Sequence, residues 1–287
     1  MKETILVIGA TGMSGEPVAK SLKEDGFQIR IMTRDYNKAK NMFDNSFEFI
    51  TGDVIDDSIL DKSLNGCYGV HINLSGELKR IAAEKVGAAA LKKGIERITY
   101  ISETQPATEK YAQIYPQIKQ EILAVKALQE CGVSYFIFYP SWFMELLPRF
   151  IYKNTAFIVG KQPYPVHLVA LDDYTKMVSA SYKLKEPIKK ELFIRGPEGI
   201  LLYGALKKYC SVFHPEIKKV KIVPFWIYNF LATVTSNKKM KYASKVMTFF
   251  EKIGEGDDGD PTEADRLLGP PKTTLDEWLK HLKQKDK

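Results

Sequence analysis

The chain has 287 residues, 45% of them apolar. That suits one large α/β domain, or a core with an appended region, and excludes a chain disordered throughout. The formal net charge is +7, read here as lysines spread along the chain and in the tail 280–287; no dense basic run interleaved with aromatics points to nucleic acid.

Thr4 to Ile8 reads as a buried strand, Ser14 to Glu24 as a helix that Gly26 ends, and Gln28 to Thr33 as the second strand. A short helix at Asn37 to Met42 leads to a strand at Phe47 to Thr51, then a helix at Ile55 to Leu64 and a strand at Gly69 to Asn73. An Ala-rich helix follows from about Leu78 to Lys92, then a strand at Arg97 to Ile101, a helix at Pro116 to Gln129 and a sixth strand at Tyr135 to Tyr139. This alternation implies right-handed βαβ crossovers and a parallel sheet, and the nearly continuous apolar character of the strands implies helices on both faces.

After Pro140 the rhythm changes. Trp142 to Tyr152 is aromatic and interrupted by Pro148, and 161–165 reads as a loop. A strand at His167 to Leu171, a helix at Asp173 to Tyr182 and a strand at Glu191 to Arg195 follow. Leu201 to Cys210 is helical in pattern, Lys218 to Val223 strand-like, and Pro224 to Ile253 largely helical. The acidic loop Glu255 to Asp260 lacks the ligand spacing of a calcium site and reads as solvated. A last helix, Thr274 to Lys283, opens with Thr273 or Thr274 as N-cap, and Glu277 is positioned to complete a capping box.

The fold class expected is a Rossmann-type, doubly wound parallel sheet with a smaller, mostly helical C-terminal substrate region. Its dinucleotide-binding core is expected at 1–140 and 166–196, and the substrate region at 141–165 and 197–287. Cys67, Cys131 and Cys210 are far apart and the four histidines scattered, which suggests buried thiols in a reducing compartment and no metal site. The N-terminus has no cleavage pattern, so a cytoplasmic location is expected. Ile222 to Val234 is shorter than the about 20 residues a bilayer span needs.

The strongest signal is Gly9-Ala-Thr11-Gly12-Met13-Ser14-Gly15, between the first strand and the first helix. Gly9 suits a tight turn, Gly12 close approach of backbone amides to a diphosphate, and Gly15 close packing of helix on strand. The helix N-terminus adds donors and a positive dipole end. The second strand ends in Thr33-Arg34, with Lys38 beyond. An Asp or Glu there would bind a ribose hydroxyl; Arg34 suits a 2′-phosphate, so NADP is favoured, with NAD possible through Asp35. Asp53 ends the third strand, where adenine would lie, or caps the next helix. Asn73, Leu74 and Ser75 end the fourth strand along the dinucleotide's expected path, or form a simple turn.

Ser102, Tyr115 and Lys119 form a spaced trio. A Tyr and a Lys four apart share a helix face, and the cation lowers the phenol's pKa toward neutrality. A Ser hydroxyl would hold the substrate oxygen. Against this, Pro116 pushes Tyr115 out of helical conformation, and Tyr111 is a competitor. The aromatic pairs Trp142-Phe143, Phe225-Trp226 and Phe249-Phe250 either line a substrate pocket or are core.

The glycine loop, Arg34, Asp53, the Ser102/Tyr115/Lys119 spacing and Tyr139-Pro140-Ser141 together resemble the extended and atypical short-chain dehydrogenase/reductases, with the NmrA-like, nucleoside-diphosphate-sugar epimerase-like proteins as the nearest branch. Leu171-Asp-Asp-Tyr-Thr175, Gly196-Pro-Glu198 and Leu268 to Leu279 are similar to later landmarks of that family. The resemblance implies an NAD(P)-dependent oxidoreductase or epimerase acting on a small carbonyl or hydroxyl substrate. It implies Tyr115 as acid/base, Lys119 as its partner and ribose contact, and Ser102 as substrate-orienting group, with Tyr139 and Pro140 near the cofactor. Two departures stand out: the family often has Arg where this chain has Tyr139, and many NmrA-like members lack the Tyr and serve as redox-sensing regulators. A non-catalytic NADP sensor with a protein partner is therefore the rival expectation. An assembly factor with an apolar patch at Phe225 to Phe230 is a third, which an exposed Trp226 would favour.

Overall fold

The computed structural model describes residues 3–102, 109–113, 115, 118–255 and 259–285. The N-terminal half alternates strictly: β1 (Thr4–Ile8), α1 (Gly15–Glu24), β2 (Gln28–Thr33), α2 (Tyr36–Met42), β3 (Glu48–Thr51), α3 (Asp57–Leu64), β4 (Gly69–Ile72), α4 (Glu77–Ala90), β5 (Arg97–Ile101), the short α5 (Glu109–Ala112), α6 (Ile118–Gln129) and β6 (Ser134–Pro140). A 3₁₀ helix (Met144–Phe150), β7 (Ile151–Tyr152), β8 (Thr155–Val159), β9 (Pro165–Val166), α7 (Leu171–Lys183) and β10 (Lys189–Ile194) follow. The chain continues through β11 (Ile200–Leu201), α8 (Leu202–Phe213), β12 (Val220–Val223), α9 (Phe225–Val234), α10 (Lys238–Ile253), α11 (Thr262–Leu268) and α12 (Leu275–Lys285).

Seven strands form one parallel sheet in the order β10-β6-β5-β4-β1-β2-β3. The order reverses between β1 and β4, and the crevice at their carboxyl ends is where such sheets bind ligands. Two apolar clusters cover the sheet. One joins α1 and α7 to one face through Val18, Leu22, Tyr174 and Val178. The other joins α3, α4 and α6 to the opposite face through Leu60, Val86 and Leu128. Both faces are therefore dry, which is why β5 and β6 are buried along their full length.

The C-terminal part has its own core of Trp142, Leu206, Phe249, Phe250 and Trp278, which also takes in Tyr111 and Tyr115. At its edge β12, β8 and β7 make a three-stranded sheet absent from the sequence reading. The strand expected at His167 to Leu171 is corrected: Pro165–Val166 pairs with β11, and Val169 makes a single bridge to Phe143. The half-buried carboxylate of Glu145 accepts from the Leu171 amide at 3.2 Å and the Trp278 indole at 2.9 Å. α7 therefore starts at Leu171, before the expected Asp173. Asp173 instead accepts from the Lys272 and Thr273 amides at 2.9 and 2.7 Å, tying down the approach to α12. The expected capping box is present: Thr274 and Glu277 exchange backbone-to-side-chain bonds of 2.9 and 3.3 Å.

Among the described residues no helix is long and apolar enough to cross a membrane.

Candidate functional site

The site begins where β1 runs out. Gly9 takes φ +88°, a conformation L side chains rarely adopt, and its carbonyl accepts from the Gly12 amide at 3.1 Å. A Cβ on Gly9 would lie 2.0 Å from the Asn73 carbonyl oxygen, and one on Gly15 would lie 2.2 Å from the Gly9 oxygen. The loop is thus wedged between β4 and the first turn of α1, and its glycines are demanded by distance. Gly12 is exposed and its added Cβ would meet nothing closer than 3.2 Å, so its small size leaves the approach to the loop open.

Ser14 occupies the N-cap of α1 without capping it; its hydroxyl donates instead to Asn73 Oδ1 at 2.9 Å. The Glu16 amide is taken by the Gly12 carbonyl at 3.2 Å and Pro17 has no N–H, so what the first turn of α1 offers an anion, with no side-chain cap in the way, is the Gly15 amide at the end of the glycine loop. Met13 is half-buried in the sheet's core, and Arg149 of the 3₁₀ helix reaches its sulfur at 3.5 Å. Leu74 and Ser75 follow Asn73 on the loop out of β4, the first half-buried and the second exposed.

At the end of β2, Arg34 is exposed and 3.6 Å from Asp53. Lys38 reaches back from α2, its Nζ donating to the Thr11 carbonyl at 3.1 Å. Thr33 is buried and donates to the Asp35 carbonyl at 3.1 Å. Asp35 accepts from the Lys38 amide at 2.9 Å as the N-cap of α2, so its carboxylate is engaged by the helix it begins. The cap of α3 is Asp56, not Asp53; besides its pairing with Arg34, the Asp53 carboxylate accepts a long 3.3 Å bond from the Ile55 amide. Ile8, Gly9, Thr11, Arg34, Asp53 and Leu74 line one cleft at the switch point.

The expected trio is placed differently from the reading of its spacing. Ser102 lies just beyond β5, buried, and donates to Glu121 Oε2 at 2.9 Å. Tyr115 lies outside α6, which is described from Ile118, while Lys119 sits in the helix's first turn; Pro116 is outside the described residues. Tyr115 and Lys119 therefore do not share one helix face, which corrects that expectation and accords with the aversion of a residue before Pro for helical conformation. The Tyr115 ring packs on Phe249 at 5.6 Å, Tyr111 packs on the same ring at 5.8 Å, and Lys119 is exposed.

Sequence reasoning missed the group behind Ser102. Glu121, nearly buried, also accepts from Tyr100 at 2.7 Å and pairs with the buried Lys79 at 2.7 Å. The signal was available: Glu121 and Lys79 lie on otherwise apolar faces of α6 and α4.

Tyr139 is buried, donates to Glu191 at 2.7 Å and stacks on Phe193 at 5.0 Å, so its side chain belongs to strand packing, while Pro140 pairs with Ile194 at the sheet's edge. The acidic loop is corrected at its first residue. Residues 256–258 lie outside the described ones, but Glu255 is buried. It accepts from Ser141 and from the His167 amide at 2.8 Å, and its Oε2 lies 2.7 Å from His167 Nδ1. Trp142, Phe143, Phe249 and Phe250 are core, whereas Trp226 is 73% exposed. All three cysteines are buried, and burial pushes the Cys67 thiol up to about 11.

The model of the NmrA-like family matches residues 1–279. The photosystem II assembly factor Ycf39 of Cyanophora paradoxa is 30% identical over 150 residues, covering 47% of this chain and 44% of that protein. Its namesake in Trieres chinensis is 21% identical over 261 residues, covering 86% and 77%. The chain thus spans less than half of the first of these relatives. Among solved structures, the Escherichia coli NADPH-dependent quinone oxidoreductase in complex with NADPH has a TM-score of 0.73 at 20% identity, covering 97% of this chain and 99% of that one. Triphenylmethane reductase of Citrobacter sp. in complex with NADP(H) has a TM-score of 0.78 at 18% identity, with the same coverage. By fold, glycine loop and family model together, this chain belongs to the NmrA-like family.

Proposed function

We propose that this protein binds NADP and acts as an NADP-dependent oxidoreductase, or as an epimerase using a transient oxidation, on a small carbonyl or hydroxyl substrate. The observation that carries the reading is that Gly9 and Thr11 of the glycine loop line one cleft together with Arg34, while Lys38 is tied to the Thr11 carbonyl. The structural neighbours that hold NADPH or NADP(H) support it.

In this reading Gly9, Thr11, Gly12, Met13, Ser14 and Gly15 surround the diphosphate. Thr33, Arg34 and Lys38 take the 2′-phosphate, where a guanidinium fork is well matched to phosphate oxygens. Asp53 borders the adenine, Asn73, Leu74 and Ser75 follow the dinucleotide, and Tyr139 and Pro140 contribute backbone at the sheet's edge. The bound cofactor supplies or accepts the hydride. Ser102, its proton held by Glu121, offers lone pairs to a substrate hydroxyl. Tyr115, between the sheet's edge and the C-terminal core, handles the proton, and Lys119 contacts the ribose. Substrate lies under 141–165 and 197–287.

The test is NADPH oxidation with quinones and aldehydes, for wild type and Tyr115→Phe. The reading expects turnover by wild type and a loss of about 10²–10⁴-fold in kcat for the variant, at unchanged NADPH affinity. Equal turnover in both removes Tyr115 from the reaction.

A second reading is a non-catalytic NADP-binding regulatory or assembly protein. The exposed Trp226 favours it, since an aromatic left in solvent is a surface for something else. NADPH binding without turnover on any substrate would select it.

A further inference from the structure

Helix α9 has the sequence FWIYNFLATV and buries only Tyr228 and Ala232. Trp226, Phe230 and Val234, at spacing i, i+4, i+8, are 73%, 64% and 66% exposed, with Leu231 at 45% beside them. These residues form a continuous apolar stripe on the outer side of the helix. The exposed hydroxyls at its end are satisfied by the helix itself: Thr233 and Thr235 donate to the carbonyls of Asn229 and Leu231 at 2.8 and 2.7 Å. The stripe thus asks for no hydrogen bonds from outside.

The charge around it is as one-sided as the helix. From Ile217 to Phe250 there are seven lysines and no Asp, Glu or Arg. The rest of the chain carries 35 basic and 35 acidic residues, so the entire net charge of +7 resides in this stretch and not in the tail. Lys218, Lys219 and Lys221 precede α9, and Lys238, Lys239, Lys241 and Lys245 follow it; all seven are exposed. None forms an ion pair among the described residues. Ile222 and Tyr242, 50% and 51% exposed, extend the apolar surface on either side.

We infer that α9 and its flanking lysines form a docking surface for the anionic face of a lipid bilayer, with the helix lying in the plane of the interface. Three features favour lipid over a protein. The exposed face of the helix carries a single side-chain amide, Asn229, its flanking charge is of one sign throughout, and Trp226 and Tyr242 fall in sequence beside the lysines that precede and follow the helix. Ten residues are too few to span, so the helix enters only to the depth of its exposed side chains. This inference does not depend on whether the cofactor site is catalytic, and it assigns to lipid the Trp226 surface that the second reading leaves to a protein partner.

The test is co-sedimentation of the whole protein with phosphatidylcholine vesicles, with and without one-third phosphatidylglycerol. Variants are Trp226→Ala with Phe230→Ala, and Lys238→Gln with Lys239→Gln and Lys241→Gln; thermal unfolding verifies that each is folded. Wild type is expected to partition onto anionic vesicles at least tenfold more than onto neutral ones, and less as salt rises. Each set of substitutions is expected to lower that partitioning about tenfold or more. Equal partitioning onto both vesicle types, or variants that bind as wild type does, would overturn the inference. So would loss of an oligomer in the aromatic variant without any vesicle binding, which would mark the ridge as a contact between protein chains.

Discussion

Lys38 Nζ lies 3.1 Å from the carbonyl oxygen of Thr11, so a cation from the start of α2 is tied to the middle of the glycine loop. Arg34 stands free of that tie, exposed and only loosely paired with Asp53 at 3.6 Å. The two cations differ in what they lose when removed. Lys38→Ala should loosen the loop and weaken NADH by a few fold, and NADPH somewhat more, since a contact to the 2′-phosphate is lost as well. Arg34→Ala should weaken NADPH by about tenfold or more and leave NADH unchanged, because an exposed guanidinium has only the 2′-phosphate to recognise. Calorimetric titration of both variants with both nucleotides separates the effects.

Gly15→Val should abolish dinucleotide binding. Its Cβ would fall 2.2 Å from the Gly9 oxygen and 2.6 Å from Asn73 Nδ2, so either the loop or α1 must move. Gly204→Ala is the matched control. There the nearest atom to the new Cβ is Ile200 Cγ1 at 3.6 Å, an ordinary contact. Fluorescence titration with NADPH should show at least a tenfold loss for the first and none for the second.

Glu121→Gln should destabilise the fold by about 3–5 kcal/mol, since it leaves Lys79 charged, buried and without its counter-ion. Combining it with Lys79→Met should cost less than the sum of the two changes, because neither charge is then left alone. Urea unfolding of the wild type and the three variants measures the coupling.

His71, at the centre of β4, is fully buried, with Nδ1 2.7 Å from Thr99 Oγ1 and Nε2 without a partner among the described residues. Burial lowers its pKa to about 3. The unfolded chain takes up a proton there below about pH 6.5 while the folded one does not. Stability is therefore fully present above pH 6.5 and falls as pH drops toward 3, by up to about 1.4 kcal/mol per pH unit. In chemical unfolding from pH 7 to pH 4, His71→Gln should show a shallower slope than wild type by about that amount.

Most of the sheet was legible in the sequence because β1 to β6 alternate with helices at short spacing and are apolar throughout. The glycine loop was legible for the same reason: strand, spacing and helix are all local. β7 and β8 were not, and although Lys218 to Val223 read as a strand, its pairing with β8 was not, since a two-residue strand and partners more than sixty residues apart leave no periodic trace. The trio was legible only in part: spacing alone puts Tyr115 and Lys119 on one helical turn, whereas Pro116 argues against it, and the described helix begins at Ile118. Glu255 was misread because solvation is the default for an acidic loop, and only tertiary structure brings Ser141 and His167 to its carboxylate.

The central claim is that the cleft at the switch point holds NADP, and the dissociation constants of wild-type protein for NADPH and NADH test it directly. NADPH is expected to bind tighter by about tenfold or more. Equal affinity for the two, or binding of neither, would contradict it.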